Sequence, residues 1–150
     1  MNKYTIRKAS PGDLELSFAI RKNAMYKYIA DSKGWVEDKE MQDHIEDFST
    51  DIMQIIEVNG KPVGVFESGV EDGYIHIHGL YILEEFQNYK IGSRVMNNTI
   101  NTANTKRRSI LLQVLKVNIK AKAFYERIGF KVRNETEHYF QMIYNFSHKC

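Results

Sequence analysis

Three groups of residues in the 150-residue chain have types and spacings suited to chemistry. The first is Gln87-Asn88-Tyr89-Lys90-Ile91-Gly92-Ser93, which follows an apolar run, Tyr74 to Leu83. It opens a helical pattern from about Arg94 to Lys106, and a second apolar run, Ser109 to Leu115, comes next. Strand, turn, helix and strand make a crossover unit, which sets a helix N-terminus at the carboxyl end of a strand. Unpaired N–H groups and the helix dipole suit phosphate there, so a pyrophosphate-bearing ligand is expected. The second group is Glu67, His76 and His78. The two histidines share one strand face and Glu67 lies on the neighbouring predicted strand. His78 or Glu67 could take a proton, and water-mediated removal with no single base is an equal alternative. His-x-His is also a metal spacing, but no further ligands accompany it and no metal site is expected. The third is Tyr125, which shares a predicted helical stripe with Ala121 and Ile128; on spacing alone it reads as a core tyrosine. Cys150 is the only cysteine and the last residue, which excludes an intramolecular disulfide and disfavours a thiol nucleophile.

The elements that must position these groups read as follows. Tyr4 to Ala9 is a strand. Ser10, Pro11 and Asp13 start a helix that runs to about Ile29, and Asp31 to Gly34 breaks it. Glu37 to Phe48 is a second, polar helix. Ile52 to Val58 and Lys61 to Val70 are strands joined by an Asn59-Gly60 hairpin turn. Asp72-Gly73 turns the chain into Tyr74 to Leu83, where Ile75 and Ile77 alternate with Tyr74, His76 and His78. Val95, Met96, Thr99, Ile100 and Ala103 stripe the next helix. Asn118 caps the last helix, Gly129 ends it, and Phe130 to Arg133 and Tyr139 to Phe146 are closing strands.

Composition fits one soluble domain over residues 1–150: 43% hydrophobic and 27% charged residues, with a formal charge of +2. The cations are dispersed, and Lys106-Arg107-Arg108 sits at a predicted helix C-terminus, where the dipole favours it. No nucleic-acid partner is expected. No apolar stretch reaches membrane-spanning length and Tyr4 to Arg7 lacks a signal-peptide pattern, so a cytoplasmic protein without a membrane partner is expected. A homodimer is compatible with this reading.

Two segments resemble the GCN5-related N-acetyltransferase (GNAT) superfamily. Leu80-Tyr81-Ile82 followed by Phe86 to Ser93 is similar to its acetyl-CoA signature, Gln/Arg-x-x-Gly-x-Gly/Ala. Leu112-Gln113-Val114 with Asn118, Ala121, Phe124-Tyr125 and Gly129-Phe130 resembles its later strand-helix-strand motif. The resemblance covers nearly the whole chain. It implies an α/β, single-domain GNAT fold: a mixed, mostly antiparallel sheet of about seven strands with about four helices, splayed between the fourth and fifth strands. It also implies acetyl-CoA as acetyl donor in that opening, bound by the main chain of Leu80, Tyr81 and Ile82. The amides from Gln87 through Asn88, Tyr89, Lys90, Ile91, Gly92 and Ser93 would cradle the pyrophosphate, and Asn118 would bond pantetheine. Lys90 stands where the family has its first glycine, so a loop requiring positive φ would strain it by roughly 1–3 kcal/mol.

The implied activity is direct acetyl transfer to a primary amine of a small molecule or protein. Tyr125 would be the general acid for the thiolate, and an N–H near Ile82 the donor to the thioester oxygen. Arg21, Met25, Tyr26, Tyr28 and Trp35 would wall the acceptor pocket, and Tyr139 would reach it. Acidic residues are not concentrated in this acceptor loop, so a polycationic substrate is not specifically indicated. The rivals are a non-catalytic acyl-CoA-binding module, an acyltransferase using another acyl-CoA, and a nucleic-acid-binding domain.

Overall fold

Two periodicities run through the chain, and the computed structural model, which describes residues 3–147, sorts them into seven strands and four α-helices. Cys150 lies outside the described residues. In chain order the elements are β1 (Tyr4–Lys8), α1 (Leu14–Ser32), α2 (Glu37–Asp47), β2 (Met53–Val58), β3 (Lys61–Glu71) and β4 (Tyr74–Ile82). They continue with α3 (Ile91–Lys106), β5 (Ile110–Leu115), α4 (Ile119–Arg127), β6 (Lys131–Glu135) and β7 (Tyr139–Tyr144). Two short 3-10 segments, Pro11–Asp13 and Glu84–Tyr89, precede α1 and α3. The sheet order is β1-β2-β3-β4-β5-β7-β6. Only β4 and β5 run parallel, as the crossover through α3 requires.

Both sheet faces are covered, which explains apolar runs without strict alternation. Ile56, Phe66, Ile75 and Ile77 join Val95, Met96 and Ala103 of α3 in one core. Met53, Ile55 and Val65 pack with Ala9 and Ile20 of α1 in the other. An ionic joint fixes the start of α1. Arg7 donates to Asp13 at 2.8 Å and to Glu57 at 3.0 Å, and the Ser10 amide donates to Asp13 at 2.8 Å. The bond from Arg7, reinforced by the Ser10 amide, lowers the Asp13 carboxyl to about 2. The two hairpin turns hold Asn59-Gly60 (φ 52° and 78°) and Asp72-Gly73 (φ 52° and 84°), as tight hairpins of this hand require.

Most element ends shift by a residue or two from the sequence reading, and three of the differences have a local backbone cause. Helix α1 runs three residues further, to Ser32, and closes when the Lys33 and Gly34 amides both reach the Ile29 carbonyl. Helix α3 starts at Ile91 rather than Arg94, because left-handed Lys90 turns the chain directly into it. Strand β6 begins at Lys131, after Gly129 takes φ 113°.

Candidate active site

Strand β4 changes face in mid-course. Glu67 pairs with Gly79 but Ser68 pairs with Ile77, so β4 carries one extra residue at His78. Such a bulge reverses which side chains face which layer. Ile75 and Ile77 enter the α3 core, whereas Tyr81 lies on the α1 face with Val65. Gly79 is what lets the Tyr81 ring lie back along the strand. A Cβ there would fall 2.5 Å from the ring.

Beyond the bulge, β4 and β5 separate. They pair only at Ile75–Ile110 and His76–Leu111, and β5 continues against β7 alone. The Leu83 amide donates to Val63 at 2.8 Å. Antiparallel alternation then turns the polar groups of Tyr81 toward Val65, and those of Leu80 and Ile82 into the opening. The sequence reading had assigned all three main chains to the ligand, and for Tyr81 this geometry corrects it. Gln87 Nε2 satisfies the Ile82 carbonyl at 2.8 Å, which leaves the Leu80 amide groups and the Ile82 N–H facing the gap.

The loop above the gap ends at the N-terminus of α3. Lys90 takes φ 62° and ψ 20°, so this position does require the left-handed region that a glycine fills without strain. Its carbonyl accepts the first α3 bond, from Arg94, leaving the N–H groups of Ile91, Gly92 and Ser93 without intrahelical acceptors. Nothing in the protein itself demands glycine at position 92. A Cβ would make only an ordinary contact with Leu80, at 3.9 Å. A glycine there leaves the backbone open to close approach.

A cavity of about 560 Å³ runs from the gap onto the α1 and α2 face. Its inner wall is Leu80, Leu112, Val114, Asn118, Ala121 and Tyr125. Asn118 is 8% exposed, and its Oδ1 accepts from the Ala121 amide at 3.2 Å. The helix-cap reading therefore holds, and Nδ2 makes no hydrogen bond to a described residue. Tyr125 is wedged against the rings of Phe124 and Phe130, with centroids at 5.1 and 5.6 Å. Burial pushes its phenol well above the ordinary tyrosine range, and Tyr81 adds to the shift. Tyr125 keeps its proton throughout the physiological range.

The outer wall holds Arg21, Met25, Glu67, His78, Tyr81 and Tyr139. Arg21 is tied to Glu40 at 3.1 Å, and its charge also acts on the neighbouring Tyr81 hydroxyl. Burial raises the Glu67 carboxyl; Arg21 opposes the shift and Asp47 adds to it. His78 is more exposed, with Nε2 3.6 Å from Glu71 and its ring stacked on His76. Tyr139 accepts from Lys33 at 2.7 Å, which bridges the end of α1 to the β6–β7 hairpin.

Three expected wall residues stand outside the cavity lining. Tyr26 is 48% exposed, and Tyr28 is half-buried with the Lys27 ammonium over its ring. Trp35 packs on Tyr26 and Phe18 and reaches the site only through Arg21, 5.8 Å from its ring. In their place α2 contributes Glu40, Asp43, His44 and Asp47, and β3 contributes Glu71. The spacing of Glu40, Asp43 and Asp47 on one helix face was the available signal. Among the described residues no cluster of three or more His, Cys, Asp or Glu could hold a metal ion, and no helix is long and apolar enough to cross a membrane.

Comparison with known proteins adds independent findings. A profile of the acetyltransferase (GNAT) family matches residues 22–130. An uncharacterized N-acetyltransferase of Methanocaldococcus jannaschii is 30% identical over 93% of this chain and 66% of its own length. A probable N-acetyltransferase of Mycobacterium tuberculosis is 30% identical over 56% of this chain and 49% of its own length. The chain thus spans only part of the curated relatives it matches. The crystal structure of PaiA N-acetyltransferase from Thermoplasma acidophilum in complex with coenzyme A superposes with a TM-score of 0.77. It shares 19% identity and covers 96% of this chain and 99% of that one, a likeness of fold.

Proposed function

The chain belongs to the acetyltransferase (GNAT) family, and from that premise we propose that it transfers an acetyl group from acetyl-CoA directly to a primary amine of a small molecule or protein. One observation carries the reading. Leu80, whose main chain faces the splay next to that of Ile82, lines the same cavity as Tyr125, Asn118 and Glu67. Buried ladder groups need partners, and the amides of a pantetheine arm supply them in the place of a missing strand. The first-turn amides of α3, with Lys90 beside them, receive the pyrophosphate.

Acetyl-CoA supplies an activated acyl carbon on a thiol leaving group. The Ile82 N–H donates to the thioester oxygen as charge develops there. Glu67 takes the amine proton, directly or through one water, and its raised pKa brings it closer to the working pH of a base. We place Glu67 ahead of His78 because it is the more enclosed of the two and has no hydrogen-bond donor among the described residues holding it. Tyr125 donates to the sulfur as the carbon–sulfur bond breaks. A thiol near pKa ~8.5 is a stronger acid than this phenol, so Tyr125 stabilises the thiolate chiefly by hydrogen bonding before it surrenders the proton. The nitrogen–carbon bond forms, the carbon–sulfur bond breaks, and N-acetylamine and free coenzyme A leave.

The test is Tyr125→Phe, assayed by acetyl-CoA-dependent thiol release over a panel of amines, with calorimetry of coenzyme A binding. The expected result is turnover lowered by at least ~tenfold with coenzyme A affinity retained. Unchanged turnover removes Tyr125 from the mechanism. Binding of coenzyme A without thiol release for any amine in the unmodified protein supports the non-catalytic binding module instead.

A further inference from the structure

We infer that the acceptor is a flexible dication: a chain with its reacting amine near Glu67 and a second ammonium group farther along the wall that Asp47 and Glu71 also line. The inference rests on the transferase reading and names the substrate class of that site. The chain as a whole carries a formal charge of +2, yet the charges lining this cavity are five carboxylates and one guanidinium. They converge from separate stretches of sequence, Glu40, Asp43 and Asp47 on one face of α2, and Glu67 and Glu71 on one face of β3. Arg21 does not neutralise the set, because one cation faces five carboxylates and is engaged by Glu40 at 3.1 Å. Asp43 is taken by Lys39 at 2.8 Å. Asp47 and Glu67 have no ion pair among the described residues, and Glu71 meets only His78, at 3.6 Å.

Like charges gathered in a partly desolvated cavity oppose one another, and the rise of the Glu67 pKa includes a contribution from Asp47. A bound cation relieves that repulsion. The layout fits two cations better than one. Glu67 lies beside Gly79 and Tyr81 at the reaction end, whereas Glu71 pairs with Tyr74 at the far end of the strand pair. Four residues of strand separate them, about 13 Å at roughly 3.3 Å per residue. One ammonium cannot reach both carboxylates.

The experiment compares 1,4-diaminobutane and 1,8-diaminooctane with 1-aminobutane and 1-aminooctane as acceptors, at low and high salt. Coenzyme A binding is measured on the same preparation. At low salt the diamines are expected to exceed the matched monoamines in kcat/KM by at least ~tenfold, the advantage residing in KM and shrinking with salt. The ratio should collapse in Asp47→Asn and Glu71→Gln, two surface changes that leave the fold's cores untouched. A ratio near one, or turnover of neither class with coenzyme A bound, overturns the dication and leaves the donor site standing. Absence of coenzyme A binding overturns the transferase reading itself.

Discussion

The two sides of the cleft are built from different material. The side we assign to acetyl-CoA is main chain: the Leu80 and Ile82 groups left unpaired by the splay and the first-turn amides of α3. The opposite side is side chains, Arg21 from α1, Asp47 from α2, Glu67 and Glu71 from β3, and Tyr139 from β7. Main chain set by a strand break and a helix start tolerates many side chains. A wall of side chains from four elements changes its chemistry with each substitution. The contrast teaches where to look for conserved ligand geometry and where for specificity within one cavity.

The strongest way to break the comparison is at Leu80. Its N–H faces the gap, so Leu80→Pro removes a ligand donor while leaving the β3 ladder intact. Coenzyme A affinity by calorimetry is expected to fall ~10–100-fold, the cost of about 1–3 kcal/mol for an unmet buried partner. Leu80→Ala, which keeps the N–H, should fall far less. Equal losses in the two variants would mean that the side chain, not the main chain, makes the site.

A smaller effect is expected at Glu67. Burial raises its pKa, so a base at this position becomes active as pH rises through a range above that of an ordinary carboxylate. Glu67→Gln should lower turnover about tenfold at neutral pH and abolish the acidic limb of the profile, with coenzyme A affinity unchanged. Persistence of the limb in this variant would transfer the proton-accepting role to His78 or solvent.

The smallest effect is expected at Lys90. Its left-handed conformation costs about 1–2 kcal/mol, and glycine removes that strain while adding freedom to the unfolded chain. Lys90→Gly should therefore stabilise by less than about 1 kcal/mol in thermal melts. If amides make the phosphate cradle, coenzyme A affinity should change by less than about fivefold. A loss of a hundredfold would make the Lys90 charge, not the backbone, the main contact.

The sequence was most legible where contacts are local. The loop Gln87 to Ser93, the cap at Asn118 and the turns at Asn59-Gly60 and Asp72-Gly73 are each written within a few residues, and the structure builds the elements expected around them. Seven strands, four helices and the splay after the fourth strand follow the same logic. The bulge at His78 was hidden, because an extra residue in a strand leaves no mark on an alternating Ile75, Ile77 pattern. Consequently the placement of Tyr81 on the α1 face was not foreseeable from periodicity. The acidic wall was hidden for another reason. Asp47 and Glu67 lie twenty residues apart in sequence, and only the tertiary fold brings α2 and β3 to one cavity. Trp35 was open to two readings, lining the cleft or packing on its own helix, and it packs on Arg21, Tyr26 and Phe18 of α1.

The central claim is that main-chain groups of the splay and of the α3 N-terminus hold acetyl-CoA. A titration with coenzyme A followed by amide NMR tests it residue by residue. The account predicts saturable shifts concentrated at the N–H groups of Leu80, Ile82, Ile91, Gly92 and Ser93. Saturable binding that moves amides elsewhere while leaving these five in place would contradict it.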